Sequence, residues 1–282
     1  MTDATLATVL ILVSALFHAS WNAILKSGSD RKAMIGVLNF AAALFSIPML
    51  FIVPMPAGVD WAWIGVSVLI HFGYQLSLAH MMGSADYSLV YPISRGLGPL
   101  VVTIAALFIL GEPLSPLQIA AILVIIAGAV LAGFASADRL RAPPAQAVIW
   151  ACIVGLLIGT YTTIDGTAVK RMSPLTFLFW SNLMIMPPMM AFLYRSEGHQ
   201  FGYRMKTAAP RALVMTVVAY TGYTLALFAF HFGALGETAA LRETSIIFAA
   251  AIGGFWLKER ITSGRLFGVA LIALGAVALK SL

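Results

Sequence analysis

The side chains in this sequence that can carry charge or hydrogen-bond chemistry fall at helical spacing inside runs that are otherwise apolar. His18, Trp21 and Asn22 share a face with Ser14; Ser67, His71, Tyr74 and Gln75 form a second stripe; Tyr91, Ser94 and Arg95 form a third. Tyr161 and Asp165 stand at i, i+4, Tyr220, Tyr223 and Thr224 share a face, and Arg242, Glu243 and Ser245 repeat the theme. Spacings of three and four put such residues on one side of a helix. An unsatisfied polar group in hydrocarbon costs several kcal/mol, so each stripe marks a wall that meets a partner or a wet cavity rather than lipid.

Each stripe has a chemical reading and a structural one. The indole and imidazole of Trp21 and His18 can stack on or hydrogen-bond a solute, or they are interhelical glue, with Trp21 or Lys26 anchored at the interface. His71 lies in the middle of its run, where an ionisable group is a functional-site candidate by default; a proton relay is one option, and a neutral ring satisfied by a neighbouring helix is another. The Arg95 guanidinium, about 10 Å inside its span, can receive a carboxylate bidentately, pair with an acid such as Asp165 or Glu243, or reach phosphate headgroups. Asp165 can bind an ammonium group or a coupling proton, or pair with Lys170 at the membrane edge. Arg242 lies roughly 6 Å inside its predicted helix, which favours snorkelling to the interface over lining a site. Tyr223 is mid-span and suits an amphipathic ligand, whereas Trp61 and Trp63 read as interface anchors.

These residues must be held by membrane helices. Of 282 residues 61% are hydrophobic, with 17 Lys and Arg and 11 Asp and Glu, which excludes a soluble protein. At about 20 residues per span, ten spans fit and leave no room for a separate soluble domain. They run roughly 4–26, 33–53, 60–82, 88–110, 114–134, 145–169, 174–194, 210–232, 238–257 and 262–279, with Arg195–Arg211 the longest and most polar loop and Ser136–Pro144 the hinge between halves. The first run, lacking a basic leader and reaching Lys26, is a mature helix and not a cleaved signal. The net charge of +6 is spread over short loops, which argues against a nucleic-acid partner. Cys152 is alone, no metal-ligand spacing occurs, and the motifs HExxH, GxSxG and the P-loop are absent, so no metal, cofactor or enzyme activity is expected.

The two halves repeat. An offset of 147 carries Glu112 onto Glu259, Arg95 onto Arg242 and Gly128 onto Gly275, while Leu16–Lys26 aligns with Thr160–Lys170. An odd number of helices per copy makes the second copy enter from the opposite side, giving inverted repeats with a site between them. The fold expected is all-α, two inverted five-helix units at 1–136 and 145–282. Pro92, Gly96 and Pro99, with Gly253 and Gly254 in the other half, are the candidate hinges. Gly264, Gly268 and Gly275, facing Ala121 and Gly128, permit close helix packing. Twelve Lys and Arg lie in odd-numbered loops against three in even-numbered loops and tails, which by itself puts both termini outside the cytoplasm.

Phe17-His18-Ala19-Ser20-Trp21-Asn22 with Lys26, the Gly-Glu and Lys-Glu turns at Glu112 and Glu259, and the repeated endings at Gly128 and Gly275 resemble the drug/metabolite transporter superfamily, EamA type. The resemblance covers essentially the whole chain. It implies a ten-helix carrier of the bacterial inner membrane, often an exporter of amino acids, with the aromatic amino acid exporters as one branch. It also implies cavity walls from spans one, three, four, six, eight and nine, and cytoplasmic termini, against the charge count. The resulting expectation is a monomeric exporter of small zwitterionic solutes, with His18, Trp21, Asn22, His71, Tyr74, Tyr91, Arg95, Tyr161, Asp165, Tyr223 and Arg242 at its binding site. The competing reading is a proton-coupled exporter of drugs or cations, which needs a deep carboxylate; span one has none.

Overall fold

The computed structural model describes residues 2–84, 87–134, 145–255 and 262–281, the side chains of 79, 82–93 and 133–134 excepted. Among these residues every regular element is helical. The first half contains α1 (Asp3–Lys26), α2 (Arg31–Met49), α3 (Asp60–Ser84), α4 (Tyr87–Phe108) and α5 (Pro116–Phe134). The second contains α6 (Ala145–Arg171), α7 (Pro174–Glu197), α8 (Phe201–Phe232), α9 (Leu235–Leu241), α10 (Ser245–Phe255) and α11 (Ser263–Ser281). Short 3-10 turns join α7 to α8 and, at Arg242–Thr244, α9 to α10.

Local sequence sets several helix starts. Thr2 accepts from the amide of Thr5 and Asp30 from that of Ala33, each supplying an acceptor to a backbone donor the helix leaves unpaired. Before α5, the Ser115 amide donates to Gln118 Oε1 at 2.9 Å while the Gln118 amide donates to Ser115 Oγ at 3.2 Å, a reciprocal capping box. Thr262 Oγ1 accepts from the Arg265 amide before α11. Ser115 and Thr262 stand 147 apart, so the repeat extends to its caps.

The pairing of α5 with α11 shows how the halves are related. A Cβ on Gly128 would lie 2.7 Å from the Gly268 carbonyl oxygen and 2.9 Å from the Ile272 nitrogen. One on Gly275 would lie 3.0 Å from the Ala121 carbonyl oxygen and 2.7 Å from Ile125 Cγ1. Early residues of α5 therefore meet late residues of α11, so the two helices run antiparallel. Ala121 with Gly268, Ile125 with Ile272, and Gly128 with Gly275 each share the offset of 147, making the contact self-complementary about a two-fold axis. The same inversion recurs inside: α1 crosses α8 antiparallel, with Ser14 donating to the Gly222 carbonyl at 2.6 Å and Gly233 packed on Ala7. Its counterpart is α3 against α6, where Asp60 meets Arg171 and Ser67 meets Asp165.

Two sequence expectations need correction. The loop predicted at Arg195–Arg211 is mostly helix, because α7 runs to Glu197 and α8 begins at Phe201. Its charges are used locally: Arg204 bonds both Asp30 oxygens, at 2.6 and 2.9 Å, and also pairs with Glu197, which Lys32 meets at 2.7 Å. The helix predicted across 238–257 is broken by the Arg242–Thr244 turn. That tighter turn sits where two adjacent ionisable side chains, Arg242 and Glu243, are both buried, at 6% and 1% exposure.

Large apolar side chains such as Phe51, Phe108, Leu274 and Val277 cover the outside. By length and composition α1, α2, α6, α11 and the helical stretch 174–232 suffice to cross a membrane, and Ser94–Phe108 and Pro116–Ala132 are shorter apolar helices.

Candidate solute-binding site

A cavity of about 170 Å³ lies at the centre of the bundle. For scale, an internal cavity of about 150 Å³ accepts a benzene ring. Its walls include Ser14, His18 and Trp21 of α1, Asn39 of α2, Ser67, His71, Tyr74 and Gln75 of α3, and Tyr161 of α6. Ser181 and Asn182 of α7, Thr216, Tyr220 and Tyr223 of α8, and Arg242 complete its polar lining. Two helices can place residues there because the stripes are in register: Asn39 donates to Gln75 Oε1 at 2.7 Å, tying α2 to α3.

Behind one wall, Asp165 is fully buried and accepts three hydrogen bonds. Ser67 Oγ donates at 2.6 Å to Oδ1, while Tyr223 OH at 2.7 Å and His71 Nε2 at 2.9 Å reach Oδ2. The His71 ring stacks on Tyr161 with centroids 4.2 Å apart and meets Tyr223 and Tyr74 edge-on. The Asp165–Lys170 pair considered from sequence does not form: Lys170 donates to the Gly233 carbonyl and Arg171 meets Asp60. Five residues on, Lys170 has already reached the helix end, while Asp165 faces α3 and α8.

Behind the α1 wall, Arg95 Nη2 lies 3.0 Å from Glu243 Oε1 and donates to Ser245 Oγ at 2.8 Å, and Nη1 lies 3.2 Å from His18 Nε2. Of the alternatives open for Arg95, pairing with Glu243 is the one the fold adopts. Arg242 does not snorkel. It is buried and faces the cavity, with Nη2 3.3 Å from Thr162 Oγ1 and its guanidinium carbon 6.0 Å from the Phe230 ring centre. The break between α9 and α10 turns this side chain inward. The two arginines obey the repeat: Arg95 meets His18, Arg242 meets Thr162, and these partners occupy matching positions of α1 and α6.

Both halves of the chain, residues 5–134 and 145–280, match the EamA-like transporter family. The chain belongs to the EamA-like transporter family. One solved crystal structure, of a protein not further described, has the same fold, with a TM-score of 0.74 at 16% identity over 98% of this chain and 95% of its own. No curated protein matches at a comparable level. Membership makes the chain a multi-pass membrane transporter of the drug/metabolite type.

In this EamA-like transporter, the fold brings His18, Trp21, His71, Tyr74, Tyr161, Tyr223 and Arg242 to one cavity. Asp165 and Arg95 stand one layer behind it, against His71 and His18. Asn22 bonds back to the His18 carbonyl and is not among the lining residues. The side chains of Tyr91 and Pro92 lie outside the described residues. The expected walls also change: spans two and seven contribute, through Asn39, Ser181 and Asn182, whereas α4 supplies no lining residue among those described. Of the candidate hinges, Gly96 packs on Val130, Pro99 lies within the unbroken α4, and Gly253 and Gly254 lie within α10; the helix break falls at Arg242–Thr244 instead. Glu112, legible only as part of a repeated turn, accepts from the amides of Leu235 and Gly236 at 2.6 and 2.9 Å and so caps α9 from the other repeat. Gly111 permits that turn with φ of 66°.

Proposed function

We propose that this protein is a secondary transporter moving a small zwitterionic solute of the amino acid class out of the cell by alternating access. In this reading ten spans form two inverted five-helix units, residues 1–136 and 145–282, acting as a monomer in a bacterial inner membrane. The observation that carries it is the contrast between the two buried arginines. Arg95 is neutralised by Glu243, whereas Arg242 faces the cavity with no carboxylate at ion-pair distance among the described residues. Its Nε is buried and unbonded. A guanidinium in that position is suited to a carboxylate, which accepts two parallel N–H bonds. The carboxylate role considered for Arg95 therefore passes to Arg242. Elsewhere in the lining, Tyr74, Tyr161 and Tyr223 surround His71 with Asp165 behind it, an aromatic, electronegative wall suited to an ammonium group. A bulky drug cation fits less well, because Asp165 is covered by its own donors and Arg242 repels it.

The test is counterflow in proteoliposomes with a panel of radiolabelled amino acids, challenged by the methyl ester of each. Amino acids compete and the esters do not, and Arg242→Ala abolishes exchange. Esters competing as well as the free acids remove Arg242 as the carboxylate site.

A further inference from the structure

The His71–Asp165 pair has a feature that solute binding alone does not require. Asp165 is acceptor only: Ser67, Tyr223 and His71 all donate to it, and no Lys or Arg touches it among the described residues. With Nε2 of His71 committed to donating, the ring's other nitrogen, Nδ1, carries the free lone pair of the neutral imidazole. Nδ1 has no hydrogen-bond partner among the described residues, and His71 lines the cavity with its side chain 18% exposed. This is the arrangement in which a buried carboxylate fixes the imidazole tautomer and stabilises the imidazolium. Imidazole is also the side chain that changes charge near neutral pH.

We propose that His71 is the coupling-proton site of this transporter: Nδ1 holds either a proton or the ammonium group of the solute, never both, while Nε2 stays bonded to Asp165. The exclusion follows from valence. A neutral Nδ1 accepts one hydrogen bond from an ammonium N–H; once protonated it has no lone pair and carries the same sign of charge as the ammonium. The proton that leaves Nδ1 goes to cavity water. A site that must release one occupant to take the other exchanges solute for proton across the membrane. The groups facing the pair are Tyr74 on α3, Tyr161 on α6, Tyr223 on α8 and Arg242 on the 3-10 turn, with His18 of α1 in the same cavity wall. The α2 and α7 walls bring the uncharged Asn39, Ser181 and Asn182. Among these, His71 is the imidazole backed by a carboxylate.

The proposal rests on the zwitterion reading above, and binding measured against pH separates the two. Tryptophan fluorescence of the purified protein, with Trp21 in the cavity wall, follows titration with L-threonine, L-methionine and L-phenylalanine across about pH 5.5 to 8. The expected result is a Kd that rises about tenfold per pH unit on the acid side, one proton displaced per solute, together with proton movement opposite to solute in pyranine-loaded proteoliposomes. In His71→Gln, whose amide can still donate to Asp165, the pH slope vanishes whatever affinity remains. A wild-type Kd independent of pH overturns the proton proposal and leaves the zwitterion reading standing. Persistence of the slope in His71→Gln overturns it as well, by placing the proton elsewhere. If none of the three amino acids binds at any pH, the zwitterion reading fails and the proposal falls with it.

Discussion

Arg95 and Glu243, 3.0 Å apart and 3% and 1% exposed, form a buried ion pair joining α4 of the first repeat to the broken helix of the second. The repeat mate of Arg95, Arg242, is the immediate neighbour of Glu243 in the chain, yet the acid serves Arg95. The pair thus breaks the symmetry between the repeats and leaves one cation for the cavity.

Removing one partner of such a pair strands a charge in low dielectric. Arg95→Ala lowers stability by about 3–5 kcal/mol, and Arg95→Met with Glu243→Leu recovers most of that loss because neither charge remains. Thermal unfolding in detergent distinguishes the two; a double variant no more stable than Arg95→Ala refutes the ion-pair account.

Glu112 caps α9 by accepting from the amides of both Leu235 and Gly236. Glu112→Ala leaves those donors without an acceptor and costs about 1–3 kcal/mol, whereas Glu112→Gln, able to accept at one oxygen, costs less. Hydrogen exchange at Leu235 and Gly236 accelerates in the alanine variant. Unchanged exchange there rejects the capping role.

The charged cluster outside the spans makes stability acid-sensitive. The hydrogen bond from Arg204 holds Asp30 below its ordinary 3.8, and those from Lys32 and then Arg204 hold Glu197 below its ordinary 4.5. Both carboxyls are lowered by folding, so their contribution is complete above the unfolded values and is lost as pH falls through the folded ones. Being partly exposed, each pair contributes at most about 1 kcal/mol. Arg204→Gln should make the loss of stability from about pH 5 to 3 shallower in chemical denaturation, and an unaltered pH profile would falsify the assignment.

Gly128 allows α5 to approach the backbone of α11, whose Gly268 carbonyl would lie 2.7 Å from any added Cβ. Gly128→Val must part the two helices and destabilises by about 1–3 kcal/mol. The same change at Gly65, which has open space around its Cβ position, serves as control. Equal thermal shifts for the two variants contradict a close-packed α5–α11 seam.

What depends on local order was legible along the chain. Membrane helices follow from long apolar runs, stripes such as Ser67–His71–Tyr74 from a period of three and four, and the duplication from an offset that carries Arg95 onto Arg242. The seam at Gly128 and Gly275 was legible for the same reason, since small residues at helical spacing leave a groove whatever fills it. Which partner each polar group takes came from packing between helices. Asp165 has Lys170 nearby in sequence but bonds Ser67 and Tyr223, which are 98 and 58 residues away. Arg242 is one turn from a predicted helix end, yet the 3-10 turn aims it at the cavity while Glu243 serves Arg95. A charge buried in a bundle takes the partner that packing brings within about 3 Å, and that choice is made by the crossing of helices far apart in the chain, which no single-helix pattern encodes.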